Sequence, residues 1–184
     1  MKIYQHDITF SEISTEICLT FFVSGCNLHC PGCSWQNTEL TPVKLTPTYY
    51  AELLHKYQGK ATCVCFLGGE WDLALVDYLR LANKLGYKTC LYTGLSMTEF
   101  RGMGVSDVGV SETGVCEVNY GKDANASHTD ASETMNYRTE IYEELDYIKT
   151  GKWIQLLGGL DSETTNQSLL NIKQKLVITG KGSK

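Results

Sequence analysis

Three features that mark membrane, nucleic-acid-binding and secreted proteins are missing from this sequence. No apolar run approaches the roughly 20 residues that span a bilayer, so we expect no membrane association. Lys and Arg number 16 against 21 Asp and Glu, and a net charge of −5 argues against binding nucleic acid through a basic face. No signal peptide is recognisable, which predicts a reducing, cytoplasmic location and free thiols rather than disulfides.

The length of the chain fits one domain. Its 184 residues are enough to bury a substantial core, and a hydrophobic content of 42% is ordinary for a globular protein. We therefore predict a single domain over residues 1–184. Composition alone does not indicate what this domain does.

The most informative segment is a loop that carries three of the eight cysteines. Residues 25–33 read Gly-Cys-Asn-Leu-His-Cys-Pro-Gly-Cys, which places Cys26, Cys30 and Cys33 in a Cys-x3-Cys-x2-Cys spacing. Three thiolates on one loop can bind an iron-sulfur cluster, but a cubane cluster normally takes four cysteines, and no fourth lies nearby. One iron is then open, and a small chelating cofactor can bind there and be reduced.

Two other interpretations of the loop stay open. A zinc ion bound by the three cysteines and either His29 or a distant cysteine would form a closed structural site, although the spacing fits the usual paired Cys-x2-Cys pattern poorly. A disulfide between neighbouring cysteines, as in redox motifs, fits less well with a chain that shows no signal peptide.

Two later segments accompany the cysteine loop. Residues 66–71 read Phe-Leu-Gly-Gly-Glu-Trp, and residues 158–167 read Gly-Gly-Leu-Asp-Ser-Glu-Thr-Thr-Asn-Gln. With the loop, they resemble radical S-adenosylmethionine (SAM) enzymes, and in particular the activating enzymes of anaerobic (class III) ribonucleotide reductases. The resemblance covers roughly residues 1–100 and 140–175. Residues 34–37, Ser-Trp-Gln-Asn, depart from the tyrosine and asparagine that often follow the last cysteine in those enzymes.

This resemblance implies a reaction and a set of site residues. Cys26, Cys30 and Cys33 would hold a [4Fe-4S] cluster, and SAM would chelate its open iron through amino and carboxylate groups. Reduction by an electron donor such as flavodoxin would cleave SAM to methionine and a 5'-deoxyadenosyl radical. That radical would take a hydrogen atom from a backbone glycine of the partner, an anaerobic ribonucleotide reductase. The cofactor-binding residues that the resemblance implies are Gly32, Gly68, Gly69, Glu70, Thr93 and Gly94.

Alternating strand and helix patterns predict an α/β fold. The predicted strands occupy residues 17–23, 62–67 and 87–92, and the predicted helices occupy about 47–58 and 72–85. Thr46 and Asp72 are the expected helix caps. This order is typical of βαβ units in a parallel sheet, whose functional loops follow the strand C-termini. With the resemblance, it predicts an incomplete (β/α) barrel with the cluster, Glu70 and the Thr93-Gly94 turn around one cavity.

The size of the chain bears on the substrate. A radical SAM enzyme that acts on a small molecule would share the cysteine loop and the Gly-Gly-Glu turn. A short chain that forms a partial barrel leaves an open side, however, and a loop of a partner protein could enter there. We therefore favour a macromolecular substrate over a small one.

Two further cysteines, Cys63 and Cys65, alternate along one predicted strand and therefore share a face of it. Such a pair can bind metal. Unpaired cysteines also behave as small buried hydrophobic residues, and we favour that interpretation here and for Cys18 and Cys90. Cys116 lies in a polar segment without an evident partner.

Residues 101–139 do not follow the strand and helix pattern. They are rich in glycine and polar residues and show no sustained helical period, and so long a connection without elements is unusual in a compact domain. We expect a mobile surface excursion, with an ordered flap of short strands as the alternative. A fourth strand is predicted within residues 145–151.

Overall fold

The computed structural model describes residues 1–33, 38–102 and 131–178, with the backbone alone at 131–136. Within these residues the chain forms eight strands and four helices. The strands are β1 (Lys2–Thr9), β2 (Cys18–Val23), β3 (Val43–Lys44), β4 (Cys63–Leu67), β5 (Lys88–Tyr92), β6 (Tyr147–Thr150), β7 (Ser168–Asn171) and β8 (Leu176–Val177). The helices are α1 (Pro47–Tyr57), α2 (Leu75–Lys84), α3 (Met97–Phe100) and α4 (Ala131–Glu144).

All eight of these strands form one sheet in the order β3-β1-β2-β4-β5-β6-β7-β8. The central strands β2, β4, β5 and β6 run parallel, which confirms the α/β class. The outer strands pair antiparallel, with β1 and β3 on one side and β7 and β8 on the other. The sheet does not close, and the prediction of a parallel sheet is correct for its centre and wrong for its edges.

The helices pack with one face of the sheet to form the main core. Parallel strands that follow each other along the chain are also neighbours in the sheet, with α1, α2 and then α3 and α4 between them. Buried residues of the strands, such as Phe21 and Phe66, pack with Tyr50 of α1, Leu79 of α2 and Ile141 of α4. None of the helices in the described part of the chain is long and apolar enough to span a membrane.

The start of α1 is as predicted, whereas that of α2 lies later than expected. Thr46 Oγ1 accepts a hydrogen bond from the backbone N of Tyr49 at 3.2 Å and so caps α1. Asp72 does not cap α2, which begins at Leu75. Its Oδ1 instead accepts a hydrogen bond from the backbone N of Ala74 at 3.0 Å, within the turn that precedes the helix.

The segment predicted as a surface excursion ends in a helix. Residues 131–139 belong to α4, so the prediction of a segment without helical structure is wrong for them. The Tyr137 hydroxyl donates to the carbonyl of Asp72, and Ile141 is fully buried, so α4 is part of the fold. This helix carries few apolar residues, so its periodicity is weak in the sequence. The possible flap at 103–130, Cys116 within it, and residues 34–37 lie outside the described residues.

The other face of the sheet carries four buried cysteines. Cys18 pairs in register with Cys63, and Cys65 pairs in register with Cys90. All four are fully buried and pack with Tyr147. Burial raises the pKa of the Cys65 thiol and raises that of Cys90 to about 11, so both stay protonated at neutral pH. They have the environment that we predicted for cysteines that pack as hydrophobic residues.

An ion pair lies at the opposite end of the parallel strands from their C-termini. The side chain of Glu16 is 5% exposed and accepts hydrogen bonds from Lys88 Nζ at 2.5 Å and from the Tyr147 hydroxyl at 2.9 Å. Burial alone would raise the pKa of Glu16, but hydrogen bonds from Lys88, Thr62 and Tyr147 outweigh it and lower the pKa. The folded protein therefore stabilises the ionised carboxylate.

The substitution Glu16→Gln should lower the free energy of unfolding at neutral pH by about 1–2 kcal/mol, because the acceptor loses its charge while Lys88 remains half exposed. The folded pKa of Glu16 lies below the unfolded value. The wild-type advantage is therefore complete above the unfolded pKa of about 4.3 and disappears as the pH falls through the folded pKa.

Urea unfolding of both proteins at neutral pH and at about pH 3 measures this difference. Glu52→Gln, which changes an exposed glutamate of α1, is the matched control and should have little effect at either pH. A Glu16→Gln difference of the same size at both pH values would contradict the assignment.

Candidate functional site

The loops that follow the four parallel strands meet at one edge of the sheet. They are the cysteine loop after β2, the Gly-Gly-Glu turn after β4, the turn after β5 and the segment after β6. Backbone hydrogen bonds join neighbours among them. The N of Gly68 donates to the carbonyl of Tyr92 at 2.8 Å, and the N of Thr93 donates to the carbonyl of Lys149 at 2.8 Å. The parallel register thus brings the predicted site residues to one edge.

The backbone of the cysteine loop turns back on itself at three left-handed positions. They are Gly25 with φ of +91°, His29 with φ of +45° and Gly32 with φ of +74°. Left-handed φ is ordinary for glycine and uncommon for histidine, so His29 is held there by its surroundings. Its side chain is exposed, which favours the solvent-facing orientation that the sequence left open. The turn is further closed by Cys33, whose backbone N donates to the carbonyl of Cys30 at 3.1 Å.

Glycines allow the cysteine loop to lie close to the loops beside it. A Cβ atom at Gly94, after β5, would overlap Cδ1 of Leu28 in the cysteine loop. A Cβ atom at Gly32 would lie 2.9 Å from Oε1 of Gln155, which belongs to the segment after β6. The cysteine loop is therefore packed against two other strand ends, and both contacts depend on a residue without a side chain.

The three cysteines of the loop are free thiols in a partly buried environment. Cys30 is buried, and Cys26 and Cys33 are half-buried. Burial raises the pKa of Cys26, and the nearby charges of Glu70, Cys30 and Cys33 act in the same direction.

In the described part of the chain, no three His, Cys, Asp or Glu side chains converge as ligands of one metal ion do. An iron-sulfur cluster does not require its cysteines to converge on one metal ion, because each cysteine binds a separate iron. Three free thiols on one short loop have the donor chemistry that such a cluster requires.

Glu70 is a buried carboxylate with one oxygen unused. The residue is 5% exposed, and its Oε1 accepts a hydrogen bond from Thr93 Oγ1 at 2.6 Å. Its Oε2 accepts no hydrogen bond from any described residue. Burial raises the pKa of Glu70, opposed by the Thr93 hydrogen bond and by the charges of Arg138 and Lys149. A buried carboxylate oxygen without a donor is unfavourable, and a cationic group of a ligand would satisfy it.

Lys149 is a site residue that the sequence analysis missed. It lies near the end of β6, is 8% exposed, and donates from Nζ to the carbonyl of Gly151 at 2.9 Å. Burial lowers the pKa of Lys149 to about 8, and the charges of Cys30 and Glu70 oppose this shift. The sequence contained one indication of this position. Lys149 lies two residues after Tyr147 in a predicted strand, so the lysine shares a strand face with an aromatic residue.

Arg138 is a second site residue that was missed. It lies on α4, and its Nη1 donates to the carbonyl of Glu99 at 3.0 Å. Its Nε is buried and has no hydrogen-bond partner among the described residues, and its charge acts on Glu70. No motif or spacing in the sequence indicates a role for Arg138, which falls in the segment predicted as a surface excursion.

The structure brings together most of the residues that the sequence selected. Glu70 is joined to Thr93 and Gly68 to Tyr92, the last residue of β5, by hydrogen bonds, and Gly94 contacts the cysteine loop. Gly69 has φ of +104° and lies against Val23 at the end of β2. The Gly-Gly-Glu turn and the Thr93-Gly94 turn each therefore contact the end of a neighbouring strand or the loop that follows it.

Two surface cavities lie at opposite ends of the parallel strands. One of about 480 Å³ adjoins the start of the cysteine loop at Ser24 and Gly25, with Asp72 in its wall. Another of about 380 Å³ lies at the opposite end of the strands, beside Glu16 and Lys88. The described residues that line these two cavities do not include Glu70 or the loop cysteines.

Comparisons with known proteins add no relative. No protein-family model, no curated protein and no solved structure matches the chain. The resemblance to radical SAM enzymes therefore depends on the sequence motifs alone.

The substitution Gly94→Ala should destabilise the protein by about 1 kcal/mol, because its methyl group would overlap Cδ1 of Leu28 and force that side chain out of its position. Leu28→Ala in the same chain removes the overlapping atoms. The double variant should therefore be less destabilised than the sum of the two single variants, as measured by urea unfolding. Strictly additive losses would show that these two strand-end loops do not contact each other.

Proposed function

We propose that this protein is a radical SAM activating enzyme, which generates a glycyl radical on an anaerobic ribonucleotide reductase. The observation that supports it most is the proximity of the cysteine loop to Glu70. Glu70 accepts a hydrogen bond from Thr93, and the next residue, Gly94, lies against Leu28 of the cysteine loop. Glu70 also keeps one oxygen without a donor among the described residues. Free thiols and an unsatisfied buried carboxylate, on neighbouring strand ends, are suited to a cluster beside a cationic cofactor.

In this proposal the cluster and SAM have defined protein partners. Cys26, Cys30 and Cys33 would hold a [4Fe-4S] cluster and leave one iron for SAM. Glu70 would accept a hydrogen bond from the SAM amino group, with Thr93 orienting the carboxylate through its 2.6 Å hydrogen bond. The remaining cofactor-binding residues would be the glycines of the surrounding turns, which permit close backbone approach: Gly32, Gly68, Gly69 and Gly94.

The order of the parallel strands supports an incomplete (β/α) barrel as the fold. Strands β2, β4, β5 and β6 are neighbours in chain order, and the loops after them form the site. In (β/α) barrels the site is likewise built by the loops at the C-terminal ends of the strands. A sheet that does not close leaves room beside those loops for a protein substrate.

The chain's own share of the chemistry is positioning and exclusion of water. When bound, the cluster and SAM supply the reductive cleavage that yields methionine and a 5'-deoxyadenosyl radical. Glu70 would fix the amino-acid end of SAM. A Cβ atom at Gly68 would lie 2.8 Å from the Trp71 ring, and one at Gly25 would lie 3.7 Å from it, so the indole lies between the Gly-Gly-Glu turn and the start of the cysteine loop.

A protein surface beside the cysteine loop supports a macromolecular partner. Leu156 is 94% exposed and Ile154 is 40% exposed, on either side of Gln155, whose side chain lies at Gly32. In the proposal these two apolar side chains contact the partner protein. The proposal takes the partner's backbone glycine as the hydrogen donor, a reduced protein such as flavodoxin as the electron donor, and the cytoplasm as the location.

Cys26→Ala, Cys30→Ala and Cys33→Ala should each reduce SAM cleavage to background, because each removes the bond to one iron and no nearby cysteine replaces it. The measurement is formation of 5'-deoxyadenosine from SAM. It uses anaerobic protein that has been reconstituted with iron and sulfide and reduced with dithionite.

Cys63→Ala is the matched control, because Cys63 is fully buried among the cysteines of the sheet and lies outside the loop. It should retain SAM cleavage. Wild-type activity in any one of the three loop variants would remove that cysteine from the cluster and overturn the proposal.

A further inference from the structure

The indole of Trp153 carries a hydrogen-bond donor that has no partner. Its Nε1 is buried and is not hydrogen-bonded to any of the described residues. An indole N–H can only donate, so an acceptor is needed to satisfy it. Buried polar groups in folded proteins almost always have a partner, and each exception requires an explanation. An acceptor that binds beside Trp153 would provide one.

The position of this N–H connects it with the cysteine loop. A Cβ atom at Gly32 would lie 3.7 Å from Trp153 Nε1. Gly32 directly precedes Cys33 in the chain, and consecutive Cα atoms are about 3.8 Å apart. Because the backbone N of Cys33 donates to the carbonyl of Cys30, Gly32 lies within the turn that joins these two cysteines. The free N–H therefore lies beside two of the three proposed cluster ligands.

The segment after β6 holds the indole in this place. The carbonyl of Lys152 accepts a hydrogen bond from Asn166 Nδ2 at 3.0 Å, which fixes the backbone next to Trp153. A Cβ atom at Gly159 would lie 3.9 Å from Cζ3 of the indole. The six-membered ring of Trp153 is thus directed towards Gly159, and the five-membered ring, with its N–H, towards Gly32.

A nearby glutamine provides a purely structural alternative. Oε1 of Gln155 would lie 2.9 Å from a Cβ atom at Gly32, and an amide oxygen is an acceptor. Trp153 Nε1 is not bonded to this oxygen. The Gln155 side chain is exposed, however, and in the structural alternative it rotates to accept from the indole. The N–H then serves only to hold the segment against the cysteine loop.

Sulfur is the acceptor that the chemistry of the loop favours. Hydrogen bonds to the sulfur atoms of an iron-sulfur cluster are among the factors that set its reduction potential. Reduction by one electron adds negative charge to the cluster. A hydrogen bond to sulfur therefore stabilises the reduced form more than the oxidised form, and the reduction potential rises.

We propose that Trp153 Nε1 donates a hydrogen bond to a sulfur atom of the cluster and raises its reduction potential. This inference rests on the proposed function, in which the cysteine loop holds a [4Fe-4S] cluster. The electron comes from the donor protein, or from dithionite in vitro. Trp153 is then a residue that tunes the cluster, and it takes no part in binding SAM.

The experiment measures the midpoint potential of anaerobically reconstituted protein by titration with dithionite, followed by electron paramagnetic resonance. Trp153→Phe keeps an aromatic ring and removes the N–H. It should make reduction about three- to tenfold less favourable, which lowers the potential of a one-electron couple by about 30–60 mV.

Trp153→His separates the hydrogen bond from the packing of the ring. Histidine keeps a ring nitrogen at the position of Nε1, but it lacks the six-membered ring that lies beside Gly159. At about pH 8.5, where histidine is uncharged, this variant should lower the potential less than Trp153→Phe does. If only the packing of the ring mattered, Trp153→His would have the larger effect.

Tyr87→Phe is the matched control, because it also removes the donor of a buried aromatic side chain. The Tyr87 hydroxyl donates to the carbonyl of Leu54 at 2.5 Å, and Tyr87 precedes β5, at the opposite end of the strands from the cysteine loop. This variant should leave the potential unchanged.

Pulsed electron paramagnetic resonance tests the contact without a change at residue 153. In protein that carries both Trp35→Phe and Trp71→Phe, Trp153 is the only tryptophan. When this protein is labelled with nitrogen-15 tryptophan, the spectrum of its reduced cluster should show a coupling to nitrogen-15. If Trp153→Phe does not bind four iron per chain, this measurement decides the question.

Three results would overturn the hydrogen bond while the proposed function stands. They are an unchanged potential in Trp153→Phe, a larger loss of potential in Trp153→His than in Trp153→Phe, and the absence of a nitrogen-15 coupling. Wild-type protein that binds no iron-sulfur cluster would overturn both the hydrogen bond and the proposed function.

Discussion

The parallel register of β2, β4, β5 and β6 is the constraint on which the site depends. Because these strands point the same way and are neighbours in chain order, the segments that follow them reach one edge of the sheet. Hydrogen bonds from Gly68 to Tyr92 and from Thr93 to Lys149 then fix the relative positions of three of those segments. A shift of one residue in any pair would turn Lys149 or the buried cysteines to the other face of the sheet.

The strand ends differ from the rest of the sheet in polarity. Along the strands, the sheet face opposite the helices buries the uncharged thiols of Cys18, Cys63, Cys65 and Cys90. At the C-terminal ends of the strands, the charged residues Glu70 and Lys149 are buried. Charges in such a place weaken the fold unless a partner satisfies them. Their presence at one edge, beside a loop of three free thiols, is the physical reason to regard this edge as a binding site.

Local signals in the sequence predicted local features of the structure. The Cys-x3-Cys-x2-Cys loop, the Gly-Gly-Glu turn and the cap at Thr46 were all visible from short spacings, and the structure has the cap as expected. Features that depend on distant contacts were not visible. The antiparallel pairing of β7 with β6, and the hydrogen bond from Arg138 of α4 to the carbonyl of Glu99, join segments that no local sequence pattern relates to each other. The polar α4 was missed because packing, more than its own periodicity, makes it helical.

The central claim is that the cysteine loop holds a [4Fe-4S] cluster with one iron open to SAM. Electron paramagnetic resonance of the anaerobically reconstituted and reduced wild-type protein, recorded with and without SAM, tests it most directly. The account predicts about four iron and four sulfide per chain and a spectrum that changes when SAM is added. A colourless protein with one zinc per chain, or a cluster whose spectrum is unaffected by SAM, would contradict it.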